Sequence, residues 1–344
     1  ALGTIALNAC QTGTANTMVG TQAGRLITGS DNVGVGMDVL YDCTSGSRNV
    51  AIGAGGYGYT AGALADLTTG NDNVAMGYRA GRAVTTGSSN VCIGRSAGLA
   101  VTTANHNTLI GRDCGVSLTT GSGLVAVGKD AAMNMTTTSG ECTAIGYQSL
   151  RTNVTAVNNT AIGNNALYSA TGGNNTAVGR YTNMLLTTGT SNTSIGAGAG
   201  YSATTGTYNI SIDGAPSSNT ASYQITLGNT GHTTLRCNDT SIGSLSDRRD
   251  KTDIIDLPVG LDFLNTLKPR QFKWKTRDGN IKDGTTRAGF IAQEFQESQK
   301  NYRYLKLVDD ENPNRLEANE GHLIPLLVKA IQELSAKVTA LEAA

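Results

Sequence analysis

A serine and a lysine five positions apart, Ser246 and Lys251, are the residues of this chain best suited to covalent chemistry. A neutral lysine amine can take the proton of a serine hydroxyl and free it to attack a carbonyl. That requires burial or a nearby cation to disfavour the charged amine. The bare pair carries little weight, because an N-cap serine followed by a solvated lysine has the same spacing. Other chemistries are poorly served. His106, His232 and His322 share no neighbourhood with a nucleophile, so a Ser-His-Asp arrangement is not expected. Six cysteines at 10, 43, 92, 114, 142 and 237 form no Cys-x-x-Cys or Cys/His cluster, which argues against a structural zinc site. They suit small buried thiols in a reducing cytoplasm better than secretion. No P-loop or dinucleotide fingerprint occurs, and no cofactor or metal is expected.

The pair stands on a border in composition. Residues 1–245 hold ten Lys/Arg and ten Asp/Glu, and residues 246–344 hold sixteen of each. Neither part is basic, so the electrostatic footprint of a nucleic-acid binder is missing. Forty-four glycines without a Gly-X-Y period, and five prolines, exclude collagen. No run of eighteen apolar residues predicts a membrane span, and no signal sequence is visible. The chain opens within a repeat at Ala1, which predicts further fibre upstream.

Beyond Lys251 come Gly260-Leu261-Asp262-Phe263-Leu264, Leu267-Lys268-Pro269, Phe272-Lys273-Trp274-Lys275, Gly289-Phe290-Ile291-Ala292-Gln293-Glu294 and a last block from Leu323 to Leu334. In this order and spacing, residues 246–344 resemble the intramolecular chaperone of phage endosialidases and tail fibres, the S74 peptidase family. The resemblance implies a trimeric domain that helps a fibrous β-structured partner fold and then releases itself by cleavage. Carried over, Ser246 is the nucleophile, Lys251 its base and Leu245–Ser246 the scissile bond; Asp247 matches the family's Ser-Asp pair with its role open. Any enzyme activity is then at most a single-turnover self-cleavage.

Upstream, Asn-x-Ala-Ile-Gly recurs in relaxed forms. Its glycines, from Gly3 to Gly196, are spaced 16–18 residues apart, and Asp213 extends the series. One gap of 24 holds a Gly-Tyr-Gly-Tyr insertion, Gly56 to Tyr59. A unit of about 17 residues is too short for a helical hairpin and fits one coil of a β-solenoid. Each coil carries a Val-Ala-Ile-Gly strand and a second apolar spurt around Leu/Val-Thr-Thr-Gly, with Gly-x-x-Asn supplying the turn. Ala51, Ala75 and their equivalents would let packed layers approach closely. The phrase also resembles the left-handed β-roll in the head of trimeric autotransporter adhesins, whose repeat is shorter. So thin a roll buries little core alone, which favours three rolls side by side.

The expected fold is therefore mostly β: a homotrimeric β-roll fibre over 1–213, a terminal β segment and linker over 214–245, and a small α+β chaperone domain over 246–344. Strands are expected at 224–228 and 233–237. In the last domain a helix is expected at 261–267, and strands at 272–275 and 288–291. Trp274 is expected in the core. A helix at about 323–343 carries Ile324, Leu327, Ile331, Leu334, Val338 and Leu341 at heptad spacing, a coiled-coil seam for trimerisation.

Together these readings describe a host-recognition segment of a phage tail fibre, assembled in the host cytoplasm and carried on the virion tail. The expected partners are two further copies, upstream fibre or baseplate proteins, and a glycan or protein receptor on the host surface. Nucleic acid and membrane insertion are not expected. Tyr57 and Tyr59, in an irregular insertion on a rigid scaffold, are candidate receptor contacts. The exposed positions after each repeat glycine, such as Tyr78, Arg95 and Lys129, read as a solvated outer ladder. A glycan depolymerase would need paired acids, and those of the roll are scattered; a bacterial trimeric adhesin would need a membrane anchor.

Overall fold

The computed structural model describes the chain except for residues 11, 54, 56–61, 138–140, 215–219, 230, 233–234, 237–245, 276–283 and 311–315. It divides into two compact units, Ala1–Asn229 and Thr230–Ala344.

The first unit is a β-solenoid. Thirteen three-residue strands, β1 (Thr17–Val19) to β13 (Ile225–Leu227), pair in strict chain order into one parallel sheet. Each coil contributes one strand, in register with the next, as in Val91↔Thr108 and Ile93↔Ile110. The 24-residue gap leaves this register intact, with Val50 opposite Val74 and Ile52 opposite Met76. Alternation along the strand sends the middle residue inward. Ala75, Cys92, Leu109 and Ala126 are accordingly buried in a continuous core.

A repeat glycine follows each strand from β1 to β11, in a backbone conformation that side chains rarely adopt. From Gly3 to Gly196 the series has φ between +117° and +150°. A Cβ on Gly111 would lie 2.5 Å from the carbonyl oxygen of Gly128 in the next coil. The series ends at Asp213, whose φ of 54° is the ordinary left-handed conformation.

The repeat asparagine is a buried hydrogen-bonding column. Asn90 Oδ1 accepts both the backbone N–H and the side-chain amide of Asn107, at 3.2 and 3.0 Å. The Asn90 amide donates in turn to Asn73 Oδ1 and to the carbonyl of Ala104. Buried amides are tolerated when fully paired, and stacking supplies every partner. Where the column is broken, the replacements are the apolar Leu124 and Cys142, both buried.

The second apolar spurt lies in the core without forming a strand. Leu67, Val84 and Leu118 are buried, yet these segments are not strands. They join coil to coil through backbone bonds that converge on one carbonyl, as where the Thr85 and Gly87 N–H groups both donate to Thr102 O, reinforced by the Thr85 hydroxyl to the same carbonyl. Left-handed residues beside them, such as Gly81 and Gly98, interrupt the extended backbone a strand needs. At the end of the roll β13 covers the expected 224–228 strand; of 233–237 only Leu235 and Arg236 are described, and neither is in a strand.

The second unit is small and mixed. Helix α1 (Leu261–Leu264) is shorter than the expected 261–267. Strands β14 (Arg270–Lys273) and β15 (Thr286–Gly289) form an antiparallel pair, followed by α2 (Ala292–Ser298) and the long α3 (Leu323–Glu342). Val259, Phe263, Phe295, Leu307, Leu323 and Leu326 make the core. Trp274 does not join it. Strand β14 stops at Lys273, and Trp274 is 43% exposed, meeting Phe272 edge to face at 5.4 Å.

Candidate functional site

The segment from Ser246 to Lys251 is a single tight turn. Asp247 caps a 3-10 turn at Arg248–Asp250, its carboxylate accepting the Arg249 backbone N–H at 2.8 Å. The same carboxylate grips the Arg249 guanidinium, with Nη2 at 2.6 Å from Oδ2. Lys251 closes the turn by donating its backbone N–H to the carbonyl of Arg248. Folded this way, positions five apart in sequence become neighbours, and Lys251 Nζ donates to Ser246 Oγ at 2.5 Å. The hydrogen bond from the Arg249 guanidinium, and after it the one from the Arg249 backbone N–H, hold the Asp247 carboxyl below its ordinary range. Asp247 thus has a geometric role that its place in the sequence left open: it caps the turn that joins serine to lysine.

All six residues of the turn are exposed in the single chain. Such a pair can pass a proton from hydroxyl to amine once the amine is neutral, and desolvation favours that form. Leu245, on the other side of the expected scissile bond, lies outside the described residues, as do Tyr57 and Tyr59. Tyr78, Arg95 and Lys129, each following a repeat glycine, are exposed at the surface of the roll.

Helix α3 has two apolar faces. Leu323, Leu326 and Ala330 are buried against the rest of the unit. Ile324 and Ile331 are 63% and 65% exposed, and Leu327, Leu334, Val338 and Leu341 are exposed beside them. The expected seam is therefore a continuous exposed apolar stripe, without a partner among the described residues.

Residues 246–304 match the Peptidase_S74 family model, the chaperone of endosialidase. The match begins at Ser246 and contains the whole turn. No curated protein and no solved structure matches the chain. In the second unit two positioning residues are not evident as such from the sequence. Arg249 holds Asp247, and Glu333 on α3 accepts the backbone N–H of Leu261 at 2.8 Å. Arg249 lay two residues from its partner and was legible as an Asx-type turn; Glu333 is separated from its partner by 72 residues. Among the described residues no helix is long and apolar enough to cross a membrane.

Proposed function

We propose that this chain is a tail-fibre or tailspike segment of a phage, in which residues 246–344 act as a built-in assembly chaperone for the β-roll. The carrying observation is the chaperone match that begins at Ser246, placed behind a thirteen-strand solenoid. Three copies join through the exposed stripe of α3, which raises the local concentration of the rolls and sets their register. Coil-by-coil stacking then proceeds from a fixed start, which counters register slippage and edge pairing in so repetitive a sheet. The mature roll is a host-recognition fibre, with the Tyr57/Tyr59 insertion as a receptor contact.

Release follows by self-cleavage. Ser246 Oγ attacks the Leu245 carbonyl carbon, and Lys251 Nζ takes the hydroxyl proton. The Leu245–Ser246 C–N bond breaks as that proton passes to the Ser246 nitrogen, leaving an ester between Leu245 and Ser246 Oγ. Water hydrolyses the ester to a Leu245 carboxylate and a free Ser246 hydroxyl.

Intact mass of the full-length chain, beside Ser246→Ala and Lys251→Ala, tests the reading. Loss of the 99-residue fragment 246–344 from the unmodified chain only is the expected result. An uncut assembled chain would leave the domain as a permanent trimerisation tip and sink the cleavage.

A further inference from the structure

We propose that the middle of the roll carries a binding row for a phosphorylated sugar, formed by Arg95, Arg112 and Lys129 with Tyr78 and Tyr147 at its two ends. The inference rests on the host-recognition reading above and names the chemistry of the receptor. Each of these residues follows a repeat glycine, and they occupy five successive coils. The backbone keeps them in line: Asp113 N–H donates to the Arg95 carbonyl at 2.9 Å and Asp130 N–H to that of Arg112 at 3.0 Å. Consecutive side chains of the row are therefore rooted about 4.8 Å apart, the spacing of adjacent strands.

Charge is segregated on a roll that is neutral as a whole. Residues 1–229 hold nine Lys/Arg and nine Asp/Glu. From Gly77 to Arg180, however, all seven Lys/Arg fall within five residues after a repeat glycine, and of the acids only Asp113 and Asp130 join them there. Those two carboxylates are largely covered, their side chains 18% and 13% exposed, and each is held by its neighbour, Arg112 at 2.9 Å and Lys129 at 3.7 Å. The cations stand outside them, and Arg95 is exposed with no acidic partner among the described residues. Nothing in the fold calls for this, since the same slot holds Thr21, Met37 and Asn164 in other coils. Three like charges within about 10 Å, on the order of one Debye length, repel one another. A bound anion relieves that repulsion.

The row identifies its occupant. A phosphate monoester carries about −1.5 to −2 charge on three acceptor oxygens, so one group can engage two cations a coil apart. Arginine presents a planar fork that matches phosphate oxygens in pairs, and two of the three cations are arginines. A carboxylate offers one charge and two oxygens, which a single arginine satisfies. The tyrosines call for a sugar behind the phosphate and not a bare ion. Tyr78 and Tyr147 are 39% and 40% exposed, and each ring lies under a cation, Arg79 or Lys129, at 5.2 Å, which fixes its position. An aromatic ring held in this way at the rim of the row packs against the C–H face of a sugar while the cations hold its phosphate.

The test is calorimetric titration of the full-length chain with phosphomannan, polygalacturonate, dextran and a single-stranded oligonucleotide. Phosphomannan should bind, more weakly as sodium chloride rises, and dextran should not. Arg95→Gln combined with Arg112→Gln should weaken phosphomannan at least about tenfold, and Arg48→Gln, a cation off the row, should leave it unchanged. If the double variant disturbs folding, as read by circular dichroism, Arg95→Gln alone decides, since it breaks no ion pair among the described residues. Polygalacturonate or the oligonucleotide binding as tightly as phosphomannan would overturn the assignment to a phosphorylated sugar. No binding of phosphomannan would overturn the row altogether. Intact mass and light scattering of the same samples separate this from the reading it rests on. A chain that assembles and does not bind overturns the inference alone, and one that stays monomeric and uncut overturns the reading as well.

Discussion

The carboxylate of Glu333 accepts the backbone N–H of Leu261 at 2.8 Å and so caps helix α1 from the middle of helix α3. Gly260, at the N-cap of α1, has no side chain to do this. The contact turns one face of α3 toward the unit and leaves the opposite stripe free. Glu333→Ala should lower the urea midpoint of the full chain's helical signal by an amount equivalent to about 1 kcal/mol, with Glu333→Gln losing less. An unchanged midpoint would mean the bond contributes nothing.

The turn that joins Ser246 to Lys251 depends on an ionised Asp247. Its carboxyl is depressed below the ordinary value of 3.8 in the folded state, first by the side-chain hydrogen bond from Arg249. The contribution is therefore present above about pH 4 and is lost as pH falls through the depressed folded value. NMR titration of the Asp247 side chain should give a midpoint below 3.8, and Arg249→Gln should raise it. A midpoint unmoved by that substitution would dissociate the pair. In the cleavage assay, Asp247→Ala should slow release without abolishing it, unlike Ser246→Ala.

Two glycines in left-handed φ separate crowding from conformation. A Cβ at Gly111 meets a carbonyl oxygen at 2.5 Å, whereas one at Gly198 meets nothing within 4 Å. Gly198→Ala should cost about 1 kcal/mol from backbone strain alone. Gly111→Ala should cost at least about 2 kcal/mol, because the coils must also part. Equal thermal shifts would refute the close approach of coils.

The Asn90 side chain carries four hydrogen bonds between coils. Asn90→Ala strands buried groups of Asn73, Asn107 and Ala104 and should cost on the order of 3 kcal/mol. Hydrogen exchange should show the loss centred on the coils around residues 73 to 107. A uniform, small change would mean that water replaces the column.

Burial pushes the thiols of Cys43, Cys92 and Cys114 up to about 12. At pH 8 a maleimide should leave all three unmodified in the folded chain and label them promptly in denaturant. Native labelling at the rate of a free thiol would show that the core opens readily.

The sequence alone determined the solenoid. A glycine every 16–18 residues and an asparagine four positions before it can satisfy their backbone and amide groups only by stacking identical coils, so period and strand position were legible. The chaperone motifs and the seam of α3 were legible for the same reason: each is a pattern of neighbours in sequence. Tertiary structure decided what depends on distance in space. It set alanine inward and valine and isoleucine outward, and it left the second apolar spurt buried but outside any strand. It put Trp274 at the surface, just past the end of β14, which stops at Lys273 where the expected strand ran to 275. It also brought Glu333 to Leu261, since a carboxylate can cap a helix only where packing of α3 delivers it.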